Sequence, residues 1–143
     1  MDYQILNLLF RCNKEFSHEK IRLQELSDTE CMICSYILSN EGSSQDDVAN
    51  ALKIDKTTVG KALMSLERKE CVSRIQDAAD KRVKRLWLTE TGKNRISKLA
   101  DLHDNWLREF MSCLNPDEQR QFEDYCTRLL TTAEKLAQKG ATK

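Results

Sequence analysis

The sequence predicts a mainly α-helical chain carrying one small β-hairpin, and three observations predict it. Proline occurs once and glycine four times in 143 residues, so helices meet few interruptions. Apolar residues three and four positions apart recur on both sides of residues 72–89, the spacing of one helix face. Between those flanks VSRIQ and VKRLWLT, short and rich in Val, Ile, Trp and Thr, enclose the polar run DAADKR, as a hairpin with a solvated tip does.

With 40% hydrophobic residues and no repeat or low-complexity run, the chain suits one core and one domain, expected over 1–138 with a tail at 139–143. No segment supplies the roughly 18 uninterrupted apolar residues of a membrane span. The opening MDYQILNLLFRCNK lacks the basic region and cleavage site of an export signal. A cytoplasmic protein with no membrane partner is expected, its six cysteines reduced.

The elements follow from punctuation. An N-terminal helix carries Leu6, Leu9, Phe10 and Phe16. Ser27 and Glu30 have the spacing of a capping box and open a short buried helix near 29–40, before Gly42. Ser43 or Ser44 caps QDDVANALK, whose Asp46 and Asp47 favour the helix dipole. Asp55 caps KTTVGKALMSLERKE, with Val59, Ala62, Leu63 and Leu66 on one face. In the hairpin Leu86 and Leu88 share one face, Arg85 and Trp87 the other. Helix resumes at Thr89 or Thr91 with the stripe Ile96, Leu99, His103, Trp106 and Phe110. Asn115 and Pro116 start the last helix, which shows Phe122, Tyr125, Cys126, Leu129, Ala133 and Leu136.

Charge is balanced overall but not along the chain. Residues 53–95 hold twelve Lys/Arg against six Asp/Glu, leaving eleven against seventeen elsewhere. A basic middle between acidic flanks fits a surface that meets phosphates, and a solvated face gives the same signal. Two closely spaced short helices followed by a basic hairpin make a winged helix-turn-helix. The run DDVANALKIDKTTVGKALMSLERKECVSRIQDAADKRVKRLWLTETGK, with D-x-R at Asp80–Arg82 and L-T-E-x-G at Leu88–Gly92, resembles the core of the MarR family of winged helix-turn-helix transcription regulators. The likeness extends to the lengths of the flanking helices.

That resemblance implies a DNA-binding lobe at about 29–92 and a dimerisation lobe from about 1–26 and 93–138. It implies a repressor that binds double-stranded DNA as a homodimer. The recognition helix, 56–69, would present Lys56, Thr57, Thr58 and Lys61 to the major groove, where Lys donates to guanine edges and Thr meets a thymine methyl or a phosphate. Ser44 and Gln45, opening the preceding helix, would hold a phosphate. Arg82 would enter the minor groove, aimed by Asp80, because a carboxylate that orders the guanidinium beforehand reduces the entropy lost on insertion. Lys81, Lys84 and Arg85 would be phosphate contacts or solvated residues. Surplus apolar residues on the terminal helices, including Leu107, Leu114, Phe122 and Leu130, suit a two-fold interface, and with it a near-palindromic operator with half-sites about one helical turn apart. A small aromatic ligand is the effector the family implies.

Other features leave alternatives open. Gly60 inside the recognition helix costs roughly 1 kcal/mol against Ala, for a close approach to DNA or as a tolerated surface glycine. Glu70 stands where the family often has Gly, so it either bears left-handed strain or ends the helix differently. Cys31 and Cys34 lie one turn apart, yet no second C-x-x-C and no His cluster completes a metal set, which favours structural thiols over a redox or metal sensor. Cys12 is on the first helix without a motif for peroxide sensing. His103 reads as an interior or interface histidine. No nucleophile–base pair, phosphate loop or paired carboxylates point to catalysis, so no enzyme, cofactor or metal is expected. A dimeric adaptor of the same fold without DNA contact is the remaining alternative.

Overall fold

The computed structural model describes residues 3–140, with side chains to residue 138. Six helices and one hairpin follow in the order α1 (Tyr3–Leu23), α2 (Asp28–Ser39), α3 (Gln45–Leu52), α4 (Lys56–Arg68), β1 (Val72–Gln76), β2 (Lys84–Leu88), α5 (Glu90–Phe110) and α6 (Pro116–Gly140), with a 3-10 turn at Met111–Cys113. This is a winged helix-turn-helix with long terminal helices, the expected fold class. The chain divides into two compact units, one ending at His103 and the other starting at Asp104, so the boundary falls inside α5. The expected tail at 139–143 lies outside the described residues from 141 on, and the backbone of residues 139 and 140 continues α6.

Helix starts are as the caps dictate. Ser27 and Glu30 form a reciprocal capping box at α2. At α3 the cap is Ser44, boxed with Asp47. Asp55 caps α4 by accepting from the Thr58 N–H at 2.9 Å. Thr89 caps α5, its hydroxyl accepting from Gly92 N–H at 3.1 Å.

Helix ends differ from the glycine-based expectation. Gly42 is not a helix cap: α2 stops at Asn40, and Gly42 takes φ 81° in the turn closed by Ser43 N–H on Asn40 O at 3.2 Å. Glu25, Lys53 and Glu70 instead occupy the left-handed region at φ 58°, 54° and 56°. Glu70 closes a full Schellman motif: its N–H bonds Glu67 O at 2.9 Å and Cys71 N–H bonds Leu66 O at 2.9 Å, with Leu66 and Cys71 both buried. Glu70 therefore bears left-handed strain of about 1 kcal/mol, offset by those bonds and that contact.

The core of the first unit comprises Leu26, Ile33, Cys34, Ile37, Val48, Ala49, Val59, Leu63, Leu66, Cys71, Val72, Leu86, Leu88, Ile96 and Leu99. β1 and β2 pair antiparallel from Val72↔Leu88 to Gln76↔Lys84. Residues 42–44 add a short third edge, with Gly42 N–H on Leu86 O and Leu86 N–H on Ser43 O, both at 2.9 Å. Leu86 and Leu88 point inward and Trp87 outward, as alternation requires. The L-T-E-x-G stretch has a steric meaning here. A Cβ on Gly92 would collide with the Cys71 carbonyl oxygen, so only glycine lets α5 start against the end of α4.

α1 joins this unit through Ser17, whose hydroxyl donates to His103 Nε2 at 3.2 Å, while His103 Nδ1 donates to Leu99 O at 2.8 Å. Phe16 packs edge-on against the same imidazole. Arg95 Nη1 donates to Gln24 O at 3.0 Å. His103 is thus a half-buried histidine with both nitrogens satisfied.

Candidate nucleic-acid interface

The basic middle of the chain separates, once folded, into two populations. Lys69, Arg74, Arg85, Lys93 and Arg95 are engaged in internal ion pairs with Glu30, Glu67, Asp77, Glu41 and Glu25. Lys53, Lys56, Lys61, Arg68, Lys81, Arg82 and Lys84 are exposed, and all but Lys53, at the end of α3, lie on α4 or the wing. Composition alone does not distinguish the two sets.

The Lys69–Glu30 pair is the most enclosed of these, with Nζ 2.7 Å from Oε2 and the Glu30 side chain 6% exposed. Burial pushes the Glu30 carboxyl up, but bonds from Lys69, Ser65 and the Ser27 N–H outweigh it and the pKa lies below the usual range. The glutamate that completes the α2 cap therefore also fastens α2 to the end of α4.

On α4, Thr57 and Lys61 are exposed and Lys56 pairs with Asp46 across the turn at 3.1 Å. The Thr58 hydroxyl donates to Asp55 Oδ2 at 2.6 Å, and that bond with the cap lowers the Asp55 pKa. At α3, Ser44 gives its N–H to the Asp47 carboxylate at 2.8 Å and accepts the Asp47 N–H at 3.1 Å, which holds the Asp47 pKa down. The Gln45 amide donates to Lys56 O at 3.2 Å, bracing α3 on the start of α4. This brace supplies a third reading of Gly60: a Cβ there would lie 3.2 Å from Gln45 Nε2.

At the wing tip, Arg82 Nε and Nη2 face Asp80 Oδ1 and Oδ2 at 3.2 and 3.4 Å, and Arg82 N–H donates to Oδ1 at 3.0 Å. The Arg82 side chain is 91% exposed, held from behind and presented forward. Those bonds lower the Asp80 pKa.

Ser44, Gln45 and Arg82, far apart in sequence, line one cleft of about 320 Å³ together with Asp46, Arg74, Val83, Lys84 and Leu86. Arg74 lies 3.0 Å from Glu67, yet its buried Nε has no hydrogen-bond acceptor among the described residues. Sequence reasoning missed Arg74 and also Asp77, whose carboxylate accepts from Arg85 Nε at 2.7 Å and is held at about 2 by that bond and by two turn N–H groups. Arg85, its side chain 41% exposed, is thus paired within the wing. Its signal was the hairpin register, which places Arg85 opposite Ile75, two residues before Asp77.

The thiols carry no comparable site. Cys34 and Cys71 are buried and Cys31 half-buried, and burial pushes all three pKa values up, Cys34 to about 12. Cys12 is exposed on α1. No group of three or more His, Cys, Asp or Glu side chains gathers as a metal site among the described residues. No helix among them is long and apolar enough to cross a membrane.

Comparison with known proteins agrees with the fold. Residues 23–86 match the family model described as sugar-specific transcriptional regulator TrmB. Transcriptional regulator HosA of Escherichia coli O127:H6 is 26% identical over 130 residues, 91% of this chain and 94% of HosA. A mutant of Staphylococcus aureus MepR, solved bound to an oligodeoxyribonucleotide, is 25% identical and superposes with a TM-score of 0.73 over 93% of this chain and 99% of that one. The crystal structure of MarR, 24% identical over 92% and 96% of the two chains, shares the fold with a TM-score of 0.72.

Proposed function

We propose that this chain, which resembles the MarR family of winged helix-turn-helix transcriptional regulators, is a sequence-specific DNA-binding repressor that acts as a homodimer on a near-palindromic operator. The observation that carries the reading is Arg82, which projects from the wing tip with its guanidinium held by both oxygens of Asp80. An arginine ordered in this way has already lost much of the freedom that groove insertion would cost. α4 lies in the major groove with Lys56, Thr57, Thr58 and Lys61 toward the bases. Ser44, Gln45 and the Arg74–Lys84 cleft lie along the phosphates.

A second copy covers the apolar residues exposed on α1 and α6, among them Ile5, Phe10, Leu129 and Leu136. A cavity of about 570 Å³, lined by Ile21, Cys31, Met32, Tyr36 and Leu52, offers room for a small aromatic effector. Asp28 on its edge disfavours an anion, so neutral aromatics are tested beside aromatic acids.

Selecting duplexes from a random pool tests the reading. A two-fold-symmetric motif should be enriched, with two chains per site by light scattering. Arg82→Ala should weaken binding to it by about 1–3 kcal/mol at fixed salt. Asp80→Ala should lose less, and the double mutant should lose less than the sum of the two, because they act as a pair. A pool that yields no motif overturns the proposal.

A further inference from the structure

Asp77 ties three other residues of the wing together, Ala79, Asp80 and Arg85. Its Oδ1 accepts the N–H groups of Ala79 and Asp80 at 2.8 and 3.1 Å, which folds the tip into an Asx-type turn. Its Oδ2 accepts Arg85 Nε at 2.7 Å, and Arg85 Nη1 reaches Gly42 O at 3.4 Å on the segment that leads into α3. The turn is closed by Asp77 N–H on Val83 O, by Val83 N–H on Asp80 O, and by the Gln76 amide on Lys81 O at 2.6 Å. The side chain itself is only 18% exposed.

A carboxylate on a phosphate-facing wing repels the partner unless its charge is used internally. Here it is used twice. Arg82 is aimed by Asp80, the Asp80 backbone is placed by Asp77, and Asp77 is anchored through Arg85 to the entry of α3. We propose that Asp77 is a positioning residue for DNA reading: with Arg85 it sets where Arg82 stands relative to the recognition helices and touches no DNA itself. This role rests on the regulator reading above and adds a residue to it that lies outside the D-x-R motif.

The test uses the full chain and a duplex selected by it from a random pool, with affinity read by fluorescence anisotropy at fixed salt. Asp77→Ala should weaken binding roughly fivefold, the cost of ordering a freed side chain and turn on binding. In an Arg82→Ala background the same change should cost less than about twofold, since there is no longer a guanidinium to place. Asp77→Asn keeps an oxygen for the two turn amides but sets its NH2 against Arg85 Nε, so it should recover only part of the affinity. Amide exchange without DNA should quicken at Ala79, Asp80 and Arg82 in Asp77→Ala while Val72 and Leu88 keep their protection, which shows that the fold is intact. An equal loss in the presence and absence of Arg82 overturns the proposal, as does unchanged exchange at the tip. If no duplex is selected, or if Arg82→Ala itself has no effect on binding, the DNA-reading wing fails and the role of Asp77 fails with it.

Discussion

Residues 26–99 and α6 are both written in helical periodicity, but the one encloses an apolar core and the other leaves its apolar residues bare. All buried hydrophobic residues among those described fall between Leu26 and Leu99. In α6, Tyr125, Leu129, Leu130 and Leu136 remain exposed, Leu129 by 64%. α1 contributes no buried residue either. Short helices that cross one another and a hairpin laid over them can enclose a core, whereas a single helix of 25 residues cannot enclose its own stripe. Periodicity thus identifies the apolar face of a helix but not what lies against it.

The contrast is open to direct attack. Replacing Leu129 and Leu136 with Ala should weaken self-association by about 4 kcal/mol or more, since a two-fold interface loses four partly buried leucine side chains, and leave the helical signal intact. Sedimentation equilibrium over a dilution series checks this, and an unchanged association would mean that α6 is bare in the assembled state too. Leu63→Ala should lower the unfolding free energy by about 2–5 kcal/mol through a cavity in the enclosed core, with a wild-type association constant. Urea unfolding at several protein concentrations separates the two effects.

Gly92→Ala should cost about 1–3 kcal/mol, because the added methyl meets the Cys71 carbonyl and pushes α5 off the end of α4. Glu70→Gly should act in the opposite sense and stabilise by roughly 0.5–1 kcal/mol, since glycine takes the left-handed cap without strain. The same urea assay measures both.

The smallest change expected is in acid. Asp77 is held at about 2 against an ordinary 3.8, and Asp47, Asp55 and Asp80 are lowered as well. A carboxylate whose folded pKa lies below its unfolded value stabilises fully above about pH 4 and loses that contribution as the pH falls toward 2. Unfolding free energy should fall across that window, and the fall should be shallower in Asp77→Asn. Equal slopes would remove the Asp77–Arg85 pair from the account of wing stability.

Much of this protein was readable from the chain alone. Caps act within one turn, so Ser27 and Asp55 were legible outright and the α3 and α5 caps to a choice between Ser43 and Ser44 and between Thr89 and Thr91. Alternation in the hairpin acts within two residues, so the faces of Leu86 and Trp87 followed from a local rule too. Asp80 and Arg82 are two positions apart, and their pairing was equally local. Tertiary structure decided the rest, because the contacts span the chain. The use of Glu30 for Lys69 depends on how α2 meets α4, the glycine at 92 on the carbonyl of Cys71, and the fate of Arg85 on the hairpin register. Glu25, Lys53 and Glu70 show the limit most plainly: local propensity asks for glycine at each, and the bonds and buried contacts made by the next residue override it.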